Sequence, residues 1–165
     1  MKYDYNNIVT SKIKNGWLKI IKSERNDLNK IIEEVNNSNN KHQIYPIPKK
    51  VFKAFNYFEP HETKLVLLGQ DPYIRYEMID NKKVPQAMGL SFSIPKKMKK
   101  IPPSLVNIYK EIHNSYNDFN IPNHGCLIKW VKTEKVLLLN SAITVIEGNS
   151  GSHLKYWEVF TDKII

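Results

Sequence analysis

Cysteine, glycine and acidic residues are all scarce in this sequence of 165 residues. The single cysteine, Cys126, excludes an internal disulfide and is typical of a protein kept in a reducing compartment. It has no CxxC partner, and the five histidines show no metal-ligand spacing, so no metal site is predicted. The sequence also has neither an apolar run long enough to cross a membrane nor a signal-peptide pattern. We therefore expect an intracellular protein of the nucleus or cytoplasm, with no membrane partner.

Acidic residues are outnumbered, with 16 Asp and Glu against 25 Lys and Arg, which gives a net charge of +9. A domain this basic often binds a polyanion, such as nucleic acid or an anionic membrane surface, although the charge also serves solubility alone. Hydrophobic residues make up 41% of the chain, enough for one domain with a core. We expect a single domain over residues 1–165, in which residues 1–43 form a helical part and a polar loop.

Two apolar runs, KLVLLGQDPY from Lys64 and KVLLLNSAITV from Lys135, predict strands. Both are continuous rather than alternating, which is typical of parallel strands covered on both faces. Helical spacing is found before, between and after them, in Trp17–Ile32, from Ser104 onward and in Leu154–Ile164. The order helix, strand, helix, strand, helix predicts an α/β fold with a parallel sheet and right-handed crossovers.

The ends of the two strands carry the candidate chemistry, because ligands of open α/β sheets bind where parallel strands end. Asp71 follows the first strand and Asn140 ends the second, so an acid and an amide would face one crevice. Taken alone, each also has a common structural use, such as a turn aspartate that bonds its own backbone. Phe92 in GLSFSI is either a core residue or a wall for a flat ring. The lysines of KKMKKIPPS are either solvated or grip a phosphate beside a helix start, with Ser104 as the N-cap.

In this order, the motifs resemble the family-1 uracil-DNA glycosylases. The matching segments are YPIPKKVFKAF, LVLLGQDPY, PQAMGLSFSI, IPPSLVNIYKEI, PNHGCLIKW, VLLLNSAITV and SHLKYWEVFTDKII, which run from about Trp17 to the last residue. The resemblance implies a three-layer α/β sandwich with four parallel core strands, of which this chain supplies two. It also implies base excision from uracil-containing DNA, single- or double-stranded, by base flipping, without metal or cofactor, and by a monomer.

The resemblance also implies a role for each motif residue. Asp71 would activate the attacking water and favour an oxocarbenium-like sugar. Asn140 would read the uracil edge, and the neighbouring pocket contacts would come from Gln70, Tyr73 and Phe92. Tyr73 would exclude the thymine methyl, and Phe92 would stack on the flipped ring. The DNA backbone would be pressed by the proline-rich loop of Pro102, Pro103 and Ser104.

The sequence departs from this family at two places. Ile74 stands where the family usually has a histidine after GQDPY, and the following stretch to Gly89 is longer than the family's. We predict that this stretch is an exposed loop over Arg75–Val84 and that its cations Arg75, Lys82 and Lys83 partly replace the histidine's phosphate contact.

The family's Gly-Ser loop and HPSPL segment are not found in these 165 residues, and His153 is no substitute for the HPSPL histidine by position. We therefore expect the domain to be C-terminally incomplete, with weak or no turnover from these residues alone. A catalytically impaired DNA-binding remnant of such an enzyme remains open at this point. An α/β domain that binds nucleotides or small phosphates is a weaker alternative, because no glycine loop that cradles phosphate follows either strand.

Overall fold

The computed structural model describes residues 2–38 and 42–165. The polar loop predicted near residue 40 lies partly outside them. The helices are α1 (Tyr5–Ile8), α2 (Asn15–Ser23), α3 (Arg25–Asn37), α4 (Pro103–Ser115), α5 (Ile128–Glu134) and α6 (Leu154–Ile164). The strands are β1 (Ile44–Tyr45), β2 (Leu65–Gly69), β3 (Tyr76–Ile79), β4 (Lys82–Pro85), β5 (Val136–Asn140) and β6 (Val145–Ile146). Short 3₁₀ turns occupy Pro48–Lys50, Lys53–Asn56 and Pro60–Glu62.

The two predicted strands pair in parallel, β2 with β5, in a register that sets Leu65 opposite Val136 and Gly69 opposite Asn140. This confirms the α/β class and the parallel pairing. All five residues of β5 are buried, as its continuous apolar run predicts. β2 is different, because Leu65, Val66 and Leu68 are exposed. Coverage on both faces was therefore a correct prediction for β5 and a wrong one for β2.

An aromatic cluster packs the last helix against the segment that follows β1. Phe52 lies with its ring centroid 6.1 Å from those of Trp157 and Phe160 on α6, and 5.8 Å from that of Phe55. Phe55 in turn contacts Trp17 of α2 at 4.8 Å. Large rings of this kind supply much of the buried apolar area of a small domain. The cluster fixes segment 48–56, which forms the back of the candidate site.

The stretch after the first strand is largely exposed, as predicted, but it is a β-hairpin and not a loop. β3 and β4 pair antiparallel, and the turn residues Asp80 and Asn81 both have positive φ angles, 50° and 56°. Two consecutive positive φ angles define the type I′ turn, whose twist suits a two-residue hairpin. Asp and Asn tolerate this conformation better than other residues with side chains, so the turn was readable in principle.

One predicted helix start shifts slightly in the structure. α4 starts at Pro103 with Pro102 at the N-cap, so Ser104 lies in the first turn and is not the cap. Proline suits the first helical position because its fixed φ is helical and its missing N–H needs no partner. α6 spans Leu154–Ile164, as its spacing predicts, with His153 at the N-cap. Among the described residues, no helix is both long and apolar enough to cross a membrane.

Candidate active site

Gly69 and Asn140 end the paired strands side by side and form the floor of the site. A Cβ atom on Gly69 would collide with Oδ1 of Asn140 and lie 3.2 Å from Cβ of Ser91. The glycine is thus required by close approach, since it leaves room for the Asn140 amide above the strand end. Asn140 is only 9% exposed, and no hydrogen bond to its carboxamide is found within residues 2–38 and 42–165. Its donors and acceptor are available to a ligand.

Asp71 is held by the loop that precedes α6. Its Oδ2 atom accepts hydrogen bonds from the backbone N–H of Gly151 at 2.5 Å and from the Ser150 hydroxyl at 2.9 Å. Both bonds reach the same oxygen, and Oδ1 accepts none from the described residues. A carboxylate fixed through one oxygen can present the other to a water molecule or a developing cation. This arrangement fixes a carboxylate in the cleft with one oxygen free of protein hydrogen bonds from the described residues.

The segment from Gly89 to Ile94 bridges the two strands and forms one wall. Ser91 donates from its backbone to Leu138 of β5 at 3.1 Å and from its hydroxyl to Leu67 of β2 at 2.9 Å. Phe92 follows with a φ of 59°, a left-handed conformation that is uncommon for a bulky aromatic residue. Backbone strain of this kind persists only where surrounding contacts impose it, and it is concentrated at functional sites. This backbone conformation places the Phe92 side chain in the lining of the cleft.

Tyr73 ties this wall to the start of α4. Its hydroxyl lies 2.8 Å from the Ser104 hydroxyl and donates to the carbonyl oxygen of Phe92 at 3.3 Å. Burial raises the pKa of Tyr73, while the bond to Ser104 acts in the opposite direction. The phenol is therefore neutral at physiological pH. Its position is fixed from two sides, so its ring is a rigid boundary of the cleft.

These groups enclose what we call the base cleft, an opening of about 230 Å³. Its lining is Gly69, Gln70, Asp71, Pro72, Tyr73, Ile74, Phe92, Ser104, Asn140 and Ser150. A tighter recess of about 20 Å³ continues behind it, against Val51, Ala54 and Ile143. A concave site with aromatic walls and a few converging polar groups is the usual form of a small-molecule site. Its aromatic walls and the free Asn140 amide suit a planar ring with polar edges.

A second cleft of about 220 Å³ adjoins the first and shares Tyr73, Ile74 and Ser104 with it. The rest of its lining is Arg75, Gln86, Lys100, Ile101, Pro102 and Pro103. The Glu77 carboxylate on β3 accepts from the backbone N–H groups of Lys99 and Lys100, at 3.2 and 3.3 Å, and so joins the hairpin to the proline-rich loop. The second cleft thus combines two cations, Arg75 and Lys100, with an otherwise largely apolar lining.

The structure brings most of the predicted site residues together. The base cleft contains Asp71, Gln70, Tyr73, Phe92, Asn140 and Ser104, while Pro102 and Pro103 line the second cleft. The sequence reasoning missed Ser150 and Gly151. The small polar run Gly148–Ser152 was the available signal, because such residues allow a loop to approach a carboxylate closely.

Two other predicted details concern cations and metals. Lys83 is not free for a phosphate, because its ammonium group contacts both carboxylate oxygens of Glu147 at 2.7 and 2.8 Å. His153 is buried in the core between the hydroxyls of Thr144 and Ser38, at 2.9 and 2.8 Å, away from the cleft. Within the described residues, no group of three or more His, Cys, Asp or Glu side chains could hold a metal ion.

No model of a known protein family matches the chain. It is 50% identical over 123 residues to a uracil-DNA glycosylase of Photorhabdus laumondii, an alignment that covers 74% of this chain and 50% of the relative. It is 40% identical over 155 residues to a uracil-DNA glycosylase of Actinobacillus pleuropneumoniae, covering 92% of this chain and 64% of the relative. The crystal structure of mimivirus uracil-DNA glycosylase superposes with a TM-score of 0.79 at 31% identity, over 94% of this chain and 56% of the other. The chain thus spans about half to two thirds of the proteins it matches.

Proposed function

The chain belongs to the uracil-DNA glycosylase family along the part of its relatives that it spans, and we propose that it binds uracil in DNA and hydrolyses the N-glycosidic bond. The observation that carries the proposal is the meeting of Asp71 and Asn140 in one cleft. A base inside a duplex is out of reach of such a cleft, so the target nucleotide must leave the stack. The acting unit is a monomer, in the compartment that holds DNA.

Asp71 is the catalytic base in this proposal. With Oδ2 held by Ser150 and Gly151, Oδ1 orients the water that attacks C1′ of the sugar. As the bond to the base breaks, positive charge develops on the sugar ring, and the nearby carboxylate stabilises it. The bonding electrons leave with the uracil ring. A fixed anion suits this cationic transition state better than any neutral side chain.

Asn140 and Tyr73 select the base. The Asn140 carboxamide accepts from the N3–H of uracil and donates to its O4, whereas cytosine presents the opposite pattern at these positions. A buried polar site that is mismatched in this way can reject an analogue by about 10⁴-fold. The Tyr73 ring, fixed by Ser104 and Phe92, fills the space beside C5 and leaves no room for the thymine methyl. Phe92 stacks on the ring, and Gln70 contacts it at the mouth.

The second cleft takes the DNA backbone beside the flipped nucleotide. One edge of this cleft is the proline-rich loop of Pro102, Pro103 and Ser104. The positive charge that would bind a phosphate comes from Arg75 and Lys100. Arg75 supplies the phosphate contact that the family's histidine makes and that the apolar Ile74 cannot make. Lys83 takes no direct part, because it is paired with Glu147. Of the three cations predicted from the sequence, Arg75 lines this cleft, Lys83 is paired with Glu147, and Lys82 lines neither cleft. Lys100 joins Arg75 in this proposal.

Release of uracil from single-stranded DNA with one uracil tests the proposal. The protein should be in excess over DNA and the incubation long, so that even slow single turnover is detected. We expect free uracil and an alkali-labile site with the wild-type chain, and neither with Asp71→Asn, which keeps the shape and loses the anion. Salt-sensitive DNA binding without any uracil release would contradict the hydrolysis and favour a binding remnant.

A further inference from the structure

A second face of segment 48–56 carries a groove of about 560 Å³, and four of its six lining residues are lysines. We call it the lysine groove, formed by Lys12, Lys49, Lys50, Lys53, Asn56 and Tyr57. In 3₁₀ turns, side chains three positions apart align. Val51 and Ala54 accordingly face the recess of the base cleft, while Lys50 and Lys53 face the groove. The groove is separate from the base cleft and shares no lining residue with it.

No ion pair found within residues 2–38 and 42–165 joins a lysine of this groove to a carboxylate. Lys50 and Lys53 are half-buried. Burial and the neighbouring Lys50 charge lower the pKa of Lys53 to about 8, against an opposing influence of Cys126. Burial and Lys49 likewise lower the pKa of Lys50. Crowded cations that are partly withdrawn from water raise the free energy of the folded state unless an anion joins them.

We propose that the lysine groove binds the phosphate groups of a nucleic acid strand. Lysine ammonium groups bind phosphates as point charges, and the neighbouring Asn56 amide and Tyr57 hydroxyl can bond phosphate or sugar oxygens. The groove has room for more than one phosphate, and its lysines come from two stretches of chain, at Lys12 and at 49–53. A strand with several linked phosphates can contact lysines from both stretches at once, whereas a single small anion cannot. This contact is additional to the base cleft and does not depend on base excision.

The salt dependence of DNA binding tests this inference. The probe is a single-stranded oligothymidylate, which contains no uracil, so the result is independent of hydrolysis. In the double variant Lys50→Gln, Lys53→Gln, we expect weaker binding and a slope of log K against log salt that is smaller by about 1.4, from about 0.7 per lost phosphate contact. The matched control is Lys129→Gln, Lys132→Gln, which removes the same charge from exposed positions on α5. Equal slopes in the two variants would overturn the proposal.

A second measurement locates the contact and identifies the ligand. Acylation of lysine amines, followed by mass spectrometry, should show Lys50 and Lys53 protected by the oligothymidylate while Lys129 stays reactive. Tripolyphosphate, matched in phosphate concentration, should protect much less. Equal protection by tripolyphosphate would assign the groove to small polyphosphates and overturn the nucleic acid assignment. If the double variant fails to fold, Lys12→Gln with Lys49→Gln, both exposed, replaces it with the same expected change in slope.

Discussion

The base cleft and the lysine groove lie on two faces of the same short segment, yet they are built in different ways. In the cleft, the walls are fixed: two hydrogen bonds hold Asp71, two more hold Tyr73, and Phe92 has a left-handed backbone conformation. In the groove, the lysines are close together and form no ion pair with a carboxylate of the described residues. Bond hydrolysis needs fixed geometry, whereas gripping a charged backbone needs mainly charge. Substitutions in the base cleft should therefore lower the rate of uracil release by displacing reacting groups. Substitutions of cations outside the cleft should instead change how DNA binding depends on salt.

The largest effect is expected from Gly69→Ala. The added methyl group would collide with Oδ1 of Asn140 and displace the amide, and a misplacement of about 1 Å can lower an enzymatic rate by about 10²-fold. We expect a loss of this order in single-turnover uracil release. Gly16→Ala is the control, because its added methyl group would collide with Pro60 and Glu59, neither of which lines the base cleft. It should lower the free energy of unfolding by about 1–3 kcal/mol through overpacking and leave uracil release by the folded protein nearly unchanged. Equal rates in the two variants would contradict the positional account of the cleft.

Acid should weaken the fold through the buried His153. Burial lowers the pKa of His153 to about 4, below its ordinary value of about 6.5. The neutral imidazole is favoured in the folded state, so its stabilisation is complete above pH 6.5 and is lost as the pH falls towards 4. The difference amounts to about 3 kcal/mol at most. Urea unfolding at pH 7 and pH 4.5 measures it, with His153→Gln as the comparison. An equal pH dependence in that variant would show that other groups are responsible.

A smaller effect is expected from Ser150→Ala. The change removes one of the two hydrogen bonds to Oδ2 of Asp71, and the Gly151 N–H retains the other. Loss of one hydrogen bond to a charged group, in a partly exposed place, should lower kcat by about 10-fold, with KM nearly constant. Ser150→Thr, which keeps the hydroxyl, should restore most of the rate. A change confined to KM would show that Ser150 acts on DNA binding and not on the Asp71 carboxylate.

The smallest effects should come from the cations of the hairpin region. Arg75→Ala should reduce the salt slope of DNA binding by about 0.7, the value for one phosphate contact of a single strand. Lys83→Ala should change it much less, because its ammonium group is already paired with Glu147. Equal changes from the two variants would mean that net charge alone matters and that the second cleft has no specific phosphate position.

The sequence was sufficient for the parts of the molecule that short-range patterns determine. Two continuous apolar runs predicted the parallel pair, and the rule that ligands bind at strand ends brought Asp71 and Asn140 together. The exposure of Leu65 and Leu68 on β2 was not predictable, because an apolar run reports preference for burial and not which neighbours cover it. The Ser150 contact was missed for a related reason. It joins residues 79 positions apart, and no local pattern encodes such a pairing.

In the proposed function, one cleft both reads the uracil and breaks its bond to the sugar. The most direct test is the single-turnover rate of base release from two oligonucleotides, one with uracil and one with cytosine at the same position, for the wild-type chain and for Asn140→Asp. The carboxylate cannot donate to O4 of uracil but can accept from the N4 amino group of cytosine. We predict that the ratio of the uracil rate to the cytosine rate falls by about 10²-fold or more. An unchanged ratio would contradict the claim, because it would mean that Asn140 does not read the base that Asp71 releases.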